Sequence, residues 1–490
     1  MTPEQEQFYR VALSGLKSVS VARSQPHDTD SLTDVLQSAG IQSATINIAS
    51  LTAIGFTPPA MAAIGSLAKS YRSGPAGNSQ KSNNEAVAKQ IAEHMVQRWR
   101  ERVGGTPTPA DFIALDDAVD ALFAALTTVR RHLVPCVLFP HPLQPFSVGA
   151  VAFYPLRDFP TDQFGVPADQ VWPKPPSRFR RWRTEVWAAL RERKPSWPRP
   201  GGFMFDDLIA LAVTRGAGWT AVVEVSGRAP AQSTITADFA ADIALAAIQL
   251  ICPGPDMRKV TRATGRAAPV GRSDVSKEID GQLSTGLANH HPALARSPEL
   301  IAVHLAKAAP FLQSMGRRLT AYLSGDSALP RLDESWCNAA YWYHEALAET
   351  LDTVSIAKLE TAIEVLFRAE SMPGSKARVV QSFDALFGLN KGDAHPLLSG
   401  LTVEQFADAI TAARSRVLHG TWPTLHPDPP ISKGKPSVTY VQVEAVTRLL
   451  LLEMSLQLDA YGLAGQTADT IDGLAAWVKG QRPNGSTLKP

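Results

Sequence analysis

The second half of the chain carries the pattern that most constrains its fold, a long series of amphipathic segments. Between Pro298 and Tyr461, apolar residues recur every three or four positions, for example at Leu359, Ile363 and Leu366. This spacing places them along one face of a helix, and that face must be buried against other helices. We therefore expect an all-α bundle in this half of the chain.

The rest of the sequence predicts further helices and a smaller region of mixed structure. The segment GWTAVVEVSGR, Gly218 to Arg228, is a run of β-forming residues closed by a Ser-Gly turn, and it predicts a strand. The predicted helices are Glu4 to Ser18, Ser31 to Ala39, Pro59 to Tyr71, Ala86 to Val103, Ala110 to Leu133, Phe239 to Ile251, Pro298 to Ser324, Ser335 to Leu351, Val354 to Glu370, Lys376 to Phe387, Val403 to His419 and Val438 to Tyr461. The expected fold class is mainly α with a smaller α/β middle region.

A chain of 490 residues is too long for one typical hydrophobic core, so several domains are expected. The changes in pattern predict a helical amino-terminal region (1–133), an α/β middle domain (134–255), a basic loop with a connecting helix (256–330), the helical bundle (331–465) and a carboxy-terminal tail (466–490).

Composition and chain ends favour a cytoplasmic protein. With 44% hydrophobic and 19% charged residues the chain should fold, and its net charge of +2 neither requires nor excludes a nucleic acid partner. The start, MTPEQEQFYR, lacks the basic and apolar pattern of a signal peptide. The apolar helix Phe239 to Ile251 is interrupted by Asp242 and is shorter than the roughly 20 residues that a membrane span needs. We therefore expect no membrane association.

The sequence also predicts neither a metal nor any other cofactor. Cys136, Cys252 and Cys337 lie far apart without a CxxC pair, as expected of reduced, buried thiols. The histidines lack companion ligands at metal-binding spacing. Phosphate-binding glycine motifs and the serine hydrolase elbow are absent from the sequence.

One short segment carries a candidate catalytic pair. In ARSRVLHGTW, Arg414 lies five residues before His419 at the end of a predicted helix, and Gly420 follows as a typical residue beyond a helix C-terminus. Spacing alone is weak evidence, because such pairs occur by chance. A histidine in the last turn of a helix is also favourable for purely structural reasons.

The segment from about Ser335 to Tyr461, and above all ARSRVLHGTW, resembles a HEPN domain of the ApeA-like branch. HEPN domains are all-α bundles whose signature is an arginine followed four to six residues later by a histidine. KLETAIEVLFRAE, Lys358 to Glu370, is similar to an earlier helix of such bundles. The resemblance covers roughly a quarter of the chain. It implies a metal-independent endoribonuclease in which Arg414 and His419 are catalytic.

The two residue types suit that chemistry. A histidine with a pKa near neutrality can remove a proton from a ribose 2′-hydroxyl or protonate the leaving 5′-oxygen. An arginine stays charged and presents a planar fork to the phosphate. Five residues at 100° each leave Arg414 and His419 about 140° apart around an ideal helix. Since HEPN nucleases act as dimers, we expect a homodimer through the C-terminal bundle that gathers two such pairs around one RNA phosphate.

Several neighbouring residues are secondary candidates. Ser415 stands where many active relatives have Asn, Asp or His, and Thr421 stands where a modifiable tyrosine is found in a second variant of the family. Arg416 could contact the RNA backbone or pair with a glutamate. Glu360 and its neighbour one helical turn later, Glu364, could orient His419 or complete a polar site, although a solvent-facing position is the simpler expectation.

Two basic segments outside the bundle could bind nucleic acid. RFRRWRTEVWAALRERKPSWPR interleaves arginine with tryptophan, and Arg180, Arg181, Trp182 and Arg183 are its candidate contacts, because arginine neutralises phosphate and tryptophan stacks on bases. An amphipathic helix with buried tryptophans explains this segment equally well. The second segment, Met257 to Arg272, is expected to be a basic loop.

The resemblance implies a toxin-like, RNA-cleaving effector in anti-phage defence, and we expect the amino-terminal region to be sensory or regulatory, with a phage-derived trigger as one possibility. The alternative is a catalytically silent HEPN bundle that binds RNA or a nucleotide or mediates assembly. A third possibility is that the α/β middle region carries an activity of its own.

Overall fold

The computed structural model describes residues 1–20, 36–47, 52–73, 81–101, 106–171, 202–265, 271–277, 279, 281–289, 297–369, 372–422, 425 and 437–482. These residues include fifteen α-helices and three small β-sheets, so the expectation of a mainly α chain with a smaller α/β part is confirmed. The chain divides into two compact units, one of Met1–Arg130 with Val225–Thr236 and one of Arg131–Glu224 with Ala237–Pro490.

The first unit combines four helices with a sheet that the sequence did not predict. Its elements are α1 (Pro3–Ser14), β1 (Leu16–Ser20), β2 (Ser43–Asn47), β3 (Thr52–Phe56), α2 (Pro58–Arg72), α3 (Asn84–Glu101) and α4 (Pro109–Ala124). The strands are antiparallel in the order β1-β3-β2. The helices pack through a core that includes Tyr9, Ile64, Ile91 and Phe112.

Two predicted helices of this unit are too long. Glu4 to Ser18 was expected to be one helix, but α1 ends at Ser14 and the chain continues as β1. Gly15 allows this turn, because a Cβ there would lie 2.4 Å from the Thr57 hydroxyl. Likewise α4 ends at Ala124, and the end of the predicted helix Ala110 to Leu133 belongs to a strand.

The second unit contains a five-stranded sheet. Its strands are β4 (Arg130–Val137), β5 (Phe146–Val148), β6 (Val151–Pro155), β7 (Trp219–Val225) and β8 (Thr261–Arg262), in the order β5-β6-β7-β4-β8. Strand β7 confirms the strand predicted between Gly218 and Arg228. The elements α5 (Ala168–Val171), α6 (Gly202–Arg215) and the hairpin of β9 (Gly271–Lys277) and β10 (Leu283–Asn289) complete this part.

The predicted basic loop Met257 to Arg272 is more regular than expected. A 3-10 helix spans Pro255–Lys259, β8 follows it, and the end of the segment enters β9. Strand β8 forms because Arg262 pairs with Cys136 of β4 in the ladder, and its side chain meets buried carboxylates.

Helix α7 (Pro230–Ile251) has 22 residues and is longer than the predicted Phe239 to Ile251. By length and composition it could cross a membrane, but 78% of its most apolar stretch is buried inside the fold. Asp242 is 2% exposed within this helix and binds Arg262 through both carboxylate oxygens.

The last part of the chain is a helical bundle, as the periodicity predicts. Its helices are α8 (Pro298–Lys307), α9 (Ala309–Ser324), α10 (Pro330–Leu347), α11 (Asp352–Leu366), α12 (Met372–Phe387), α13 (Val403–Leu418), α14 (Tyr440–Leu463) and α15 (Ile471–Gly480). Helix α11 is central and packs against α10, α13 and α14, while α12 packs against α13 and α15.

Two expectations for the bundle are wrong. The predicted helix Pro298 to Ser324 breaks at Ala308, because Pro310 lies in the first turn of α9, which begins at Ala309. The predicted tail contains α15, which starts at Thr470 because that hydroxyl accepts a hydrogen bond from the Gly473 N–H. Its apolar face is buried against α12 and α14.

Candidate functional site

Helix α13 positions both residues of the predicted pair. It begins with a capping box between Thr402 and Gln405 and ends at Leu418. The His419 N–H donates to the Ser415 carbonyl at 3.0 Å, and Gly420 adopts a φ of +68°, which favours glycine. The expected helix end is therefore confirmed at this position.

Arg414 points from α13 onto the central helix α11. Its Nη1 donates a hydrogen bond to Glu364 Oε1 at 2.9 Å, and its Nε lies 3.2 Å from Glu360 Oε2. The arginine side chain keeps 30% of its exposure, so one side of the guanidinium reaches the surface. Two carboxylates thus hold Arg414 while leaving it accessible.

Glu360 is buried, and the expectation that the two glutamates face solvent is wrong. Its side chain is 1% exposed and that of Glu364 is 12% exposed, because α11 is surrounded by three helices. The Ser375 hydroxyl donates to Glu360 Oε1 at 3.1 Å. Burial, and then the charge of Glu364, raise the pKa of Glu360 to about 7, although Arg414 opposes this. Glu360 can therefore gain or lose a proton near neutral pH.

His419 lies at the exposed C-terminal end of α13. Among the described residues, no hydrogen bond or ion pair connects it with Glu360, Glu364 or Arg414. The glutamates thus contact the arginine and do not orient the histidine, which was one alternative for them. The imidazole remains open to a ligand or a second subunit.

The neighbouring candidate residues, Ser415, Arg416 and Thr421, form backbone hydrogen bonds around His419. The carbonyl of Arg416 accepts hydrogen bonds from the N–H groups of Thr421 at 2.9 Å and Trp422 at 3.1 Å. Trp422 is 2% exposed, so the chain turns back into the fold directly after the glycine. Ser415 is half-buried, and its carbonyl accepts the His419 N–H.

Of the two segments predicted to bind nucleic acid, only the second lies largely within the described residues. The segment Arg178 to Arg199, with Arg180, Arg181, Trp182 and Arg183, lies outside the described residues. In the second segment, two arginines are already occupied in the interior. Arg258 Nη1 donates to Asp352 at 2.8 Å, and Arg262 binds Asp242 and Asp238. These two side chains are therefore not a free basic surface.

The sequence carried little signal for the partners of Arg414. Glu364 and Arg414 are 50 residues apart, and Ser375, which binds Glu360, lies in the first turn of α12. The acidic positions on an otherwise apolar helix were the one available indication. Comparisons of the chain with family models, with curated proteins and with solved structures found no match.

Proposed function

We propose that this chain is a metal-independent endoribonuclease of HEPN type. The observation that carries the proposal is the arrangement at the end of α13, where carboxylates hold a partly exposed Arg414 and His419 is exposed at the helix terminus. An arginine anchored in this way keeps its orientation when an anionic ligand arrives. A free imidazole at the same helix end can exchange protons with that ligand.

In the proposed reaction, His419 removes the proton from a ribose 2′-hydroxyl. The 2′-oxygen attacks the adjacent phosphorus, the bond to the 5′-oxygen breaks, and that oxygen receives a proton. Arg414 stabilises the negative charge that develops on the phosphate oxygens. The products are a 2′,3′-cyclic phosphate and a free 5′-hydroxyl, and DNA is spared because it lacks the attacking group.

No hydrogen bond joins Arg414 to His419 within the described part of the chain. A homodimer that brings two α13 ends together would place two such pairs around one phosphate. A single protomer should then be nearly inactive. We further propose a cytoplasmic toxin-like role, in which a phage-derived trigger releases RNA cleavage.

The test is cleavage of labelled RNA in EDTA. We expect wild type to cut RNA, and His419→Ala and Arg414→Ala to lose about 100-fold or more of the rate, as removal of a general base or a charge stabiliser does. His141→Ala is the matched control, because His141 is also exposed but lies in a distant loop. Equal cleavage by wild type and both site variants would refute the assignment.

The second candidate is a silent bundle that binds RNA or a nucleotide. The contacts of Arg414 favour this candidate. Its Nε and Nη1 already face carboxylates and are therefore occupied before a phosphate arrives. The test uses the dimer, with phage-infected cell extract as the source of a trigger. RNA that is bound but not cleaved under these conditions would support the silent bundle over the nuclease.

A further inference from the structure

A cavity of about 290 Å³ lies within the second unit, away from α13. It is enclosed by the 3-10 helix Pro255–Lys259 and by helices α7, α10 and α14. The residues that define its chemistry are Gln249, Met257, Arg258, Tyr343, Tyr440 and Glu444. A largely apolar cavity with a few convergent polar groups is the usual form of a small-molecule site.

Arg258 lines the cavity but is not free to bind an anion. Its Nη1 donates to Asp352, its Nη2 donates to the Glu349 carbonyl at 2.5 Å and to the Ser355 hydroxyl at 3.3 Å, and its Nε donates to the Leu347 carbonyl at 3.4 Å. The guanidinium therefore fastens the 3-10 helix to the turn between α10 and α11. A phosphate would have to displace these bonds.

Glu444 is a polar lining group with remaining capacity to accept hydrogen bonds. The fully buried Tyr343 hydroxyl donates to its Oε1 at 2.6 Å, and Arg448 Nε lies 3.3 Å from the same oxygen. A carboxylate has about four acceptor positions, so Oε2 still has acceptor capacity. Burial and the charge of Glu444 raise the pKa of Tyr343 well above its usual value, and the phenol therefore stays a neutral donor.

The walls of the cavity favour a flat ligand. The ring of Tyr440 forms one wall, backed by Arg258 at 4.4 Å from the ring centroid, and the buried Met257 and Leu347 add apolar surface. Val441 lies at the cavity and is 69% exposed, so its side chain marks the rim. The charged lining residues, Arg258, Asp352 and Glu444, sum to −1.

We propose that this cavity binds a small planar ligand that presents two adjacent N–H donors to Glu444. A guanine base and a guanidinium group share this donor pair, and the two acceptor positions of Oε2 can take both donors, because Oε1 already accepts the Tyr343 hydroxyl and faces Arg448. The volume accommodates a base, a nucleoside or a short guanidino compound. The absence of a free cation among the charged lining residues disfavours a phosphate in the cavity itself.

The site is independent of RNA cleavage, and its test measures binding alone. Guanosine and agmatine are titrated calorimetrically into the full chain, with inosine, which lacks the exocyclic amine, and butylamine, which lacks the guanidinium, as the matched ligands. We expect saturable binding of guanosine or agmatine, and at least tenfold weaker binding of the matched ligand. Binding of guanosine would identify a guanine base as the ligand class, and binding of agmatine would identify a guanidino compound.

Three variants locate the binding. Glu444→Gln keeps an acceptor for Tyr343 but removes the charge, and Val441→Trp fills the mouth from an exposed position that should not disturb folding. Both should weaken binding at least tenfold, while Glu453→Gln on the same helix should leave it unchanged. The proposal is overturned if folded wild type binds neither probe, if inosine binds as well as guanosine and butylamine as well as agmatine, or if Val441→Trp binds like wild type.

Discussion

Two buried carboxylates of this protein, Asp242 and Glu360, differ in the hydrogen bonds and positive charge that they receive. Asp242 is 2% exposed and receives two hydrogen bonds from Arg262 at 2.6 and 2.9 Å. Glu360 is as deeply buried, but it receives one hydrogen bond from Ser375 and shares Arg414 with Glu364. A buried charge without full compensation shifts its pKa toward the neutral form. The incomplete compensation makes Glu360 a group whose charge changes near pH 7.

Glu360 should therefore make stability depend on pH. Its pKa is about 7 in the folded protein and about 4.5 when unfolded, so the folded state retains the proton between these values. The stabilisation is fully present below pH 4.5 and is lost as the pH rises through 7. Glu360→Gln cannot lose a proton, and at about 1.4 kcal/mol per pKa unit it should gain up to ~3 kcal/mol relative to wild type across this range.

The measurement is the free energy of unfolding by denaturant at pH 4.5 and pH 8 for both proteins. Glu404→Gln is the control, because that glutamate is 42% exposed on α13. A constant difference between Glu360→Gln and wild type at the two pH values would contradict the prediction.

At the scale of elements, two glycines join the sheet and the bundle of the second unit. Gly149, in the turn between β5 and β6, has a φ of +56°, and its backbone packs directly on Gly316 in the middle of α9. A Cβ on Gly316 would lie 2.4 Å from the Gly149 nitrogen. The helix and the turn can approach this closely only because neither residue has a side chain.

Gly316→Ala should destabilise the protein by about 2 kcal/mol, since the clash with backbone exceeds the gain in helix propensity. Gly462→Ala is the matched control, because that glycine is also helical but a Cβ there meets open space. It should be neutral or stabilising by up to about 1 kcal/mol. Thermal unfolding of both variants tests the comparison, and equal melting temperatures would contradict it.

At the scale of the whole molecule, the helical bundle begins before the predicted boundary at residue 331, because α9 is part of it. Asp333 at the start of α10 is 2% exposed and pairs with Arg318 of α9 at 2.9 Å, and Arg318 also binds Asp459 of α14 at 2.8 Å. The Ser314 and Ser455 hydroxyls meet at 2.7 Å between the same helices. Helices α9, α10 and α14 therefore share one charged and hydrogen-bonded network.

A fragment of residues 331–490 should consequently fold poorly on its own. Without α9, Asp333 and Asp459 lose Arg318, and the surfaces of α10 and α14 that pack on α9 become exposed to water. We expect broad, low-temperature unfolding by circular dichroism, and a sharper transition at higher temperature for residues 298–490, which retain α9. Cooperative melting of the shorter fragment at the temperature of the whole chain would contradict this expectation.

The sequence by itself determined the helices of the second half, strand β7 and the end of α13. Their signals are local, because an apolar repeat, a cap such as Thr402 and a glycine such as Gly420 act within about one helical turn. The same locality explains the errors. Nothing next to Gly15 in the chain reveals that Thr57 lies against it, so the helix was extended into β1.

Only the tertiary structure decided what the charged residues contact. Glu364 and Arg414 are 50 positions apart and Arg258 and Asp352 are 94 apart, so no spacing in the chain predicts either pair. Burial then decides their chemistry, because the loss of water around Glu360 raises its pKa and the full set of bonds on Arg258 removes it from the surface. The sequence determines which residues can react, and packing determines which of them remain available to do so.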